Sequence, residues 1–178
     1  MSRLPLLPAE QLSPAAADLF AQIQKGLGKV PNAYATIGGY SPGALGVLLG
    51  TDAALGQGAL SKADIEAIRL AVSEINGCDY CVAAHTLVGK MAGLKPEAMQ
   101  KIRAGHATGA AAQDALLHFV RTVHITRGTV PGAVLDAVLE AGYSPQQVIE
   151  TLLVVSMIGF TNLVNRVNDT ELDFPRVG

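Results

Sequence analysis

The chain of 178 residues is one domain by length, long enough to bury roughly two thirds of its unfolded surface. Its net charge of −2 at pH 7 supplies no basic face for nucleic acid. Only 16% of residues are charged while 49% are hydrophobic, and this shortage of charge points to surface buried between copies of the chain, that is, to a homo-oligomer.

Residues 1–12 carry Pro5 and Pro8 and lack a basic start followed by a long apolar run, so no secretory signal is expected. From there helix signals recur and strand signals are nearly absent. Ser13-Pro14 is an N-cap followed by proline at the first helical position, predicting a helix to about Gly28. Asn32 is expected to cap a short turn ending at Gly38-Gly39. Ser41-Pro42 opens a helix to about Gly56 in which Gly46 and Gly50 lie one turn apart. That spacing suits close approach by another helix, or simply a buried helix with small side chains.

Ser61 with Asp64 is an imperfect capping box for the next helix, which Asn76-Gly77 ends. Helices are then predicted from Cys78 to Gly93, Pro96 to Ala104, Ala111 to Arg127, Pro131 to Ala141 and Pro145 to about Val164, with an extended polar tail from Asn165. The apolar run Thr151 to Val164 is interrupted by polar residues and is shorter than the roughly 20 residues a bilayer requires. The expectation is a soluble, cytoplasmic, all-α, single-domain bundle of about eight helices spanning residues 1–178, with no membrane partner.

The two cysteines, Cys78 and Cys81, form a C-x-x-C pair at the start of a central helix. Two thiols at this spacing in a reducing compartment argue for redox or metal chemistry. Unpaired N–H groups and the helix dipole at a helix start favour thiolates, and side chains three apart on a helix are neighbours. His85 lies on the same face and can exchange a proton with a thiol. Glu66, on the preceding helix, can return to the site as a general base if the two helices form a hairpin. Its spacing favours it over Glu74, which falls on a last helical turn.

Three rival readings stand beside a redox site. A structural disulfide closing so short a loop contributes at most about 2 kcal/mol. Zinc could take Cys78, Cys81 and His85, but His106, His118 and His124 lack the spacing to complete the site. The pair could also be inert buried thiols. His118 and His124, six apart on one helix, read as surface or core histidines, and Met91 and Met99 as core filler. Asn162, Asn165 and Arg166 either line the site or cap the last helix.

Glu66, Glu74-Ile75-Asn76-Gly77, Cys78-Asp79-Tyr80-Cys81 and His85-Thr86 together resemble the core motif of the alkylhydroperoxidase D (AhpD) branch of the carboxymuconolactone decarboxylase-like proteins. The motif covers about residues 60–93, and the helical layout, Pro31-Asn32 and Asn165-Arg166 are similar to the peroxidase-related subgroup. The resemblance implies an all-helical trimer or hexamer that reduces hydroperoxides without metal or cofactor. Cys81 would attack the peroxide, and Cys78 would donate a proton and then close the disulfide. Glu66 would activate Cys78, and His85 would link it to Cys81. A dithiol reductant, in one member a lipoyl-bearing protein, would restore the pair. Tyr80 stands at an inter-cysteine position where some relatives carry histidine. Alternatives are a non-catalytic redox-responsive oligomer, or a decarboxylase-like enzyme using Glu66 and His85 without the thiols.

Overall fold

The computed structural model describes residues 2–177. Among them the chain forms a 3-10 turn, Ala9–Gln11, and nine α-helices, with no strand. These are α1 (Pro14–Leu27), α2 (Asn32–Tyr40), α3 (Pro42–Gly56), α4 (Lys62–Ile75), α5 (Asp79–Met91), α6 (Pro96–Arg103), α7 (Ala111–Thr126), α8 (Gly132–Glu140) and α9 (Pro145–Asn168). The fold is the all-α arrangement expected, with one helix more than the sequence suggested.

Local chemistry explains most boundaries. Ser13, Ser41, Ser61 and Ser144 each accept a hydrogen bond from the third residue beyond them. Ser144 and Gln147 complete a reciprocal capping box. Gly28, Gly93 and Gly105 stand at positive φ just beyond helix ends.

Two boundaries correct the sequence reading. Segment 32–40 is a helix rather than a short turn. Burial of Ala33, Thr36 and Ile37 carries it through Gly38-Gly39, although each helical glycine costs about 1 kcal/mol. Asn32 does not cap it; its Nδ2 donates to the Glu171 carbonyl at 2.9 Å. Helix α9 continues past Val164 to Asn168, so the extended tail begins only at Asp169, which stands at φ 52°. Asn162, Asn165 and Asn168 face inward along one side and carry the helix through.

Helix α4 is the hub, packed against α5, α6, α7 and α9. It buries Ile65, Glu66, Ala67, Ile68, Leu70, Ala71, Val72 and Ser73, so nearly all of its circumference is interior. Ile68 and Val72 meet Leu116 and Val120 of α7 and Val154 and Ile158 of α9 in one core, which also holds both cysteines. By length and composition α9 could cross a membrane, contrary to the expectation from its apolar run alone. It packs here against α2, α3, α4, α5 and α7.

The glycines of α3 do not admit a helix within the protomer: a Cβ at Gly43, Gly46 or Gly50 would meet nothing. Gly38 of α2 is crowded instead: a Cβ there would overlap Leu45 and Phe20. Gly38→Ala is therefore expected to lower stability by about 1–3 kcal/mol, read as a lower midpoint at constant slope in urea unfolding.

Candidate active site

The turn that presents the cysteines is built from backbone upward. At the end of α4 the Gly77 N–H donates to Glu74 O at 3.0 Å and the Cys78 N–H to Ser73 O at 2.9 Å, closing a Schellman-type turn with Gly77 at φ 61°. Arg166 of α9 donates to the Asn76 carbonyl. Asn76 Nδ2 donates to Asn162 Oδ1 at 2.8 Å, and Asn162 Nδ2 to Ser73 Oγ at 3.2 Å. The turn is thus fixed from α9, and it leaves Cys78 as the N-cap of α5 with Cys81 in its first turn.

Both thiols are buried and free, but their environments drive them apart. The Cys78 thiol hydrogen-bonds Cys81, which pulls the Cys81 thiol down to about 6; burial opposes this, while His85 and the Asn165 amide add to it. Asn165 Nδ2 donates to Cys81 Sγ at 3.2 Å. Cys78 is pushed well above the usual thiol range by the same bond to Cys81 and by burial. The helix start was expected to activate both cysteines. Only Cys81 is lowered, and the cause is its bond with Cys78, helped by His85 and Asn165.

Glu66, 4% exposed, meets His85 and Arg69 rather than a thiol. Its Oε2 lies 2.8 Å from His85 Nδ1, and its Oε1 accepts from Arg69 Nη1 at 2.8 Å. Arg69 also donates to Asp52 of α3. Burial alone would push the Glu66 carboxyl up, but His85 and Arg69 outweigh it and hold Glu66 below the usual carboxylate value. An ionised Glu66 accepts, so His85 Nδ1 carries the proton and Nε2 is left for exchange. Gly89 of α5 makes room for Leu94 and Met99: a Cβ there would be 3.1 Å from Leu94 and 3.2 Å from the Met99 sulfur.

These groups line one wall of a cavity of about 520 Å³, with Cys81, Glu66, Arg69, His85 and Asn165 beside Leu27, Leu48, Leu87, Val88, Met157 and Ile158. Cys78 is not on that wall. Tyr34 faces the same space as a neutral phenol, raised to about 12 chiefly by burial and next by Asp52.

Glu74 turns away and pairs with Arg103 at 2.8 Å. Tyr80 OH donates to Asp173 at 2.7 Å and accepts from the Ala33 N–H at 3.1 Å, while its ring meets Phe174 edge-on at 5.4 Å. It therefore ties the tail to α2 instead of serving the thiols. His118 is exposed and His124 lies 2.7 Å from Asn76 Oδ1. Met99 is core, as expected, but Met91 is 80% exposed at the cavity mouth. Among the described residues no group of three or more His, Cys, Asp or Glu side chains could hold a metal ion.

Residues 44–124 match the model of the Carboxymuconolactone decarboxylase family. The structure is similar to the alkylhydroperoxidase AhpD core of an uncharacterised peroxidase-related protein from Ralstonia eutropha JMP134. That likeness has 24% identity and a TM-score of 0.86, and covers 97% of this chain and 92% of that one. The fold is thus AhpD-like, and the family match covers less than half of the chain. A peroxidase-related protein from Silicibacter sp. TM1040 is similar at 23% identity and TM-score 0.80, over 95% of this chain and 89% of that one. The debrominase Bmp8 is similar at 18% identity and TM-score 0.78, over 96% and 92%. No curated protein matches the sequence.

Of the sequence-predicted residues, Glu66 meets His85, Cys78 meets Cys81, and His85 acts on Cys81. Arg69 and Asp52 were missed, although Arg69 sits three residues beyond Glu66, the spacing of a helical ion pair. The contrast between the two thiols has a direct readout. Only the thiolate reacts with iodoacetamide, so alkylation of Cys81 should rise with pH about a midpoint near 6, well below the ordinary thiol value of 9. Cys78 should stay unmodified over that range. Peptide mass spectrometry of the alkylated chain checks both.

Proposed function

We propose that the protein is a thiol-dependent peroxidase that reduces organic hydroperoxides through a Cys78–Cys81 dithiol/disulfide cycle. The observation that carries this reading is the unequal thiol pair. The sulfur that ionises, Cys81, faces a mostly apolar cavity, and the one that keeps its proton, Cys78, lies behind it.

The steps follow from the groups present. Cys81 gives its proton to His85, whose other nitrogen is held by Glu66. The thiolate attacks the terminal oxygen of R–O–O–H; an S–O bond forms, the O–O bond breaks, and RO⁻ leaves. The proton on His85 converts RO⁻ to an alcohol. Cys78 then displaces hydroxide from the Cys81 sulfenic acid, and its own proton completes water. The sum is one hydroperoxide and two thiols giving an alcohol, water and a disulfide. Glu66 acts through His85, since both its oxygens are occupied. An external dithiol, such as a lipoyl group on a partner protein, returns the pair to its reduced form.

With peroxide and dihydrolipoamide, wild-type protein should consume peroxide, Cys81→Ser should lose at least a hundredfold of that activity, and Cys78→Ser should accumulate a dimedone-trappable sulfenic acid on Cys81. Undiminished turnover in Cys81→Ser would overturn the assignment, and full activity on a lactone after replacement of both cysteines would favour a decarboxylase-like reaction. Turnover no faster than the free dithiol would favour a redox-responsive role without catalysis.

The chain is also proposed to work as a homo-oligomer, a trimer or hexamer, through the outer face of α9, where Ile149, Leu163 and Val167 are each more than 60% exposed. Sedimentation of Leu163→Glu should show a smaller assembly than wild type. A wild-type monomer would contradict this.

A further inference from the structure

Three buried asparagines line the inner side of α9, and they differ in one respect. Asn162 Oδ1 accepts from Asn76, and Asn168 Oδ1 accepts from the Leu4 N–H at 2.6 Å. Asn165, 4% exposed, donates through Nδ2 to Cys81 Sγ, yet no described residue donates to its Oδ1. A buried carbonyl oxygen without a donor costs about 1–3 kcal/mol. The orientation of the amide is dictated by the sulfur. A thiolate only accepts, so it takes the N–H end and leaves Oδ1 buried and without a donor, on a residue that borders the cavity.

Building on the peroxidase reading, we infer that Asn165 Oδ1 is the acceptor for the terminal O–H of the hydroperoxide, and that this contact makes the site selective for oxidants bearing an O–H. One amide then spans both reactants, with Nδ2 on the nucleophilic sulfur and Oδ1 on the hydrogen of the oxygen being attacked. That oxygen is the one transferred. When S⁻ displaces RO⁻ from it, the hydrogen stays on it as Cys81–S–O–H, and Oδ1 keeps the same hydrogen bond from reactant to product. A dialkyl peroxide offers no such hydrogen and would leave Oδ1 buried without a donor. Sites built around a hydrogen bond discriminate most strongly against ligands that lack it.

The test separates this contact from general packing and from thiol ionisation. Cys81 is treated with cumene hydroperoxide or with iodoacetamide, each at a pH where the alkylation rate has reached its plateau, and its modification is followed by peptide mass spectrometry. Iodoacetamide needs only the thiolate, so the ratio of the two rate constants reports the contact to the O–H. Asn165→Leu, close to asparagine in shape, should lower the ratio by about tenfold to a hundredfold. Asn165→Asp, which keeps an acceptor oxygen, should hold it within about threefold.

An unchanged ratio in Asn165→Leu, or an equal fall in Asn165→Asp, would overturn the inference while leaving the peroxidase reading intact. Wild-type Cys81 that is alkylated but not oxidised would instead remove the peroxidase reading, and this inference with it. A measurement on wild-type protein alone covers the case of a variant that does not fold. 2-Phenyl-2-propanol should protect Cys81 from iodoacetamide about tenfold better than its methyl ether, and equal protection would count against the inference.

Discussion

The Glu66 carboxylate, buried between Arg69 and His85, is the interaction on which the arrangement of this protein depends. Alone, an ionised carboxylate in this position would cost several kcal/mol. Each oxygen instead has one charged or chargeable partner at 2.8 Å. Arg69 reaches on to Asp52, so a single charge cluster ties α3 to α4 and α4 to α5 around the wall of the cavity. Removing Arg69 would leave the buried Glu66 carboxylate without a fixed opposite charge, at a cost of about 3–5 kcal/mol. The pH dependence has a definite sign. With its folded value below the usual 4.5, Glu66 contributes to stability above that pH, and the contribution is lost as pH falls further.

The cysteines are positioned by a second, neutral network. Its members are amides: Asn76 and Asn162 hold the turn before α5, and Asn165 reaches Cys81 itself. Neutral donors suit this role because they stabilise a thiolate without adding a buried charge. The proton that remains on Cys78 does the same. The two sulfurs therefore differ because Cys78 shares its hydrogen with Cys81, while the helix start they have in common would treat them alike.

The helices were legible because their ends are chemically marked, with Ser-Pro or serine at four starts and glycine after several ends. Glu66, Cys78, Cys81 and His85 could be read because they fall within two adjacent helices, where spacing along the chain predicts proximity. What escaped was set by tertiary packing. The end of α9 carries no glycine or proline near Val164, and only the burial of Asn165 and Asn168 shows that the helix goes on. With α9 ended early, Asn165 could be read as a cap as readily as a site residue. Tyr80 illustrates the same limit: its place between the cysteines gave no sign that its hydroxyl is committed to Asp173 and the Ala33 amide.

Cys78 and Cys81 are proposed to work as one redox unit with Cys81 in front. Adding one equivalent of cumene hydroperoxide to the reduced protein, and recording its intact mass and the organic product, tests this. The expected result is a loss of two hydrogens, a Cys78–Cys81 disulfide and one equivalent of alcohol. Two unmodified thiols, or a stable oxygen adduct on Cys78 alone, would contradict it.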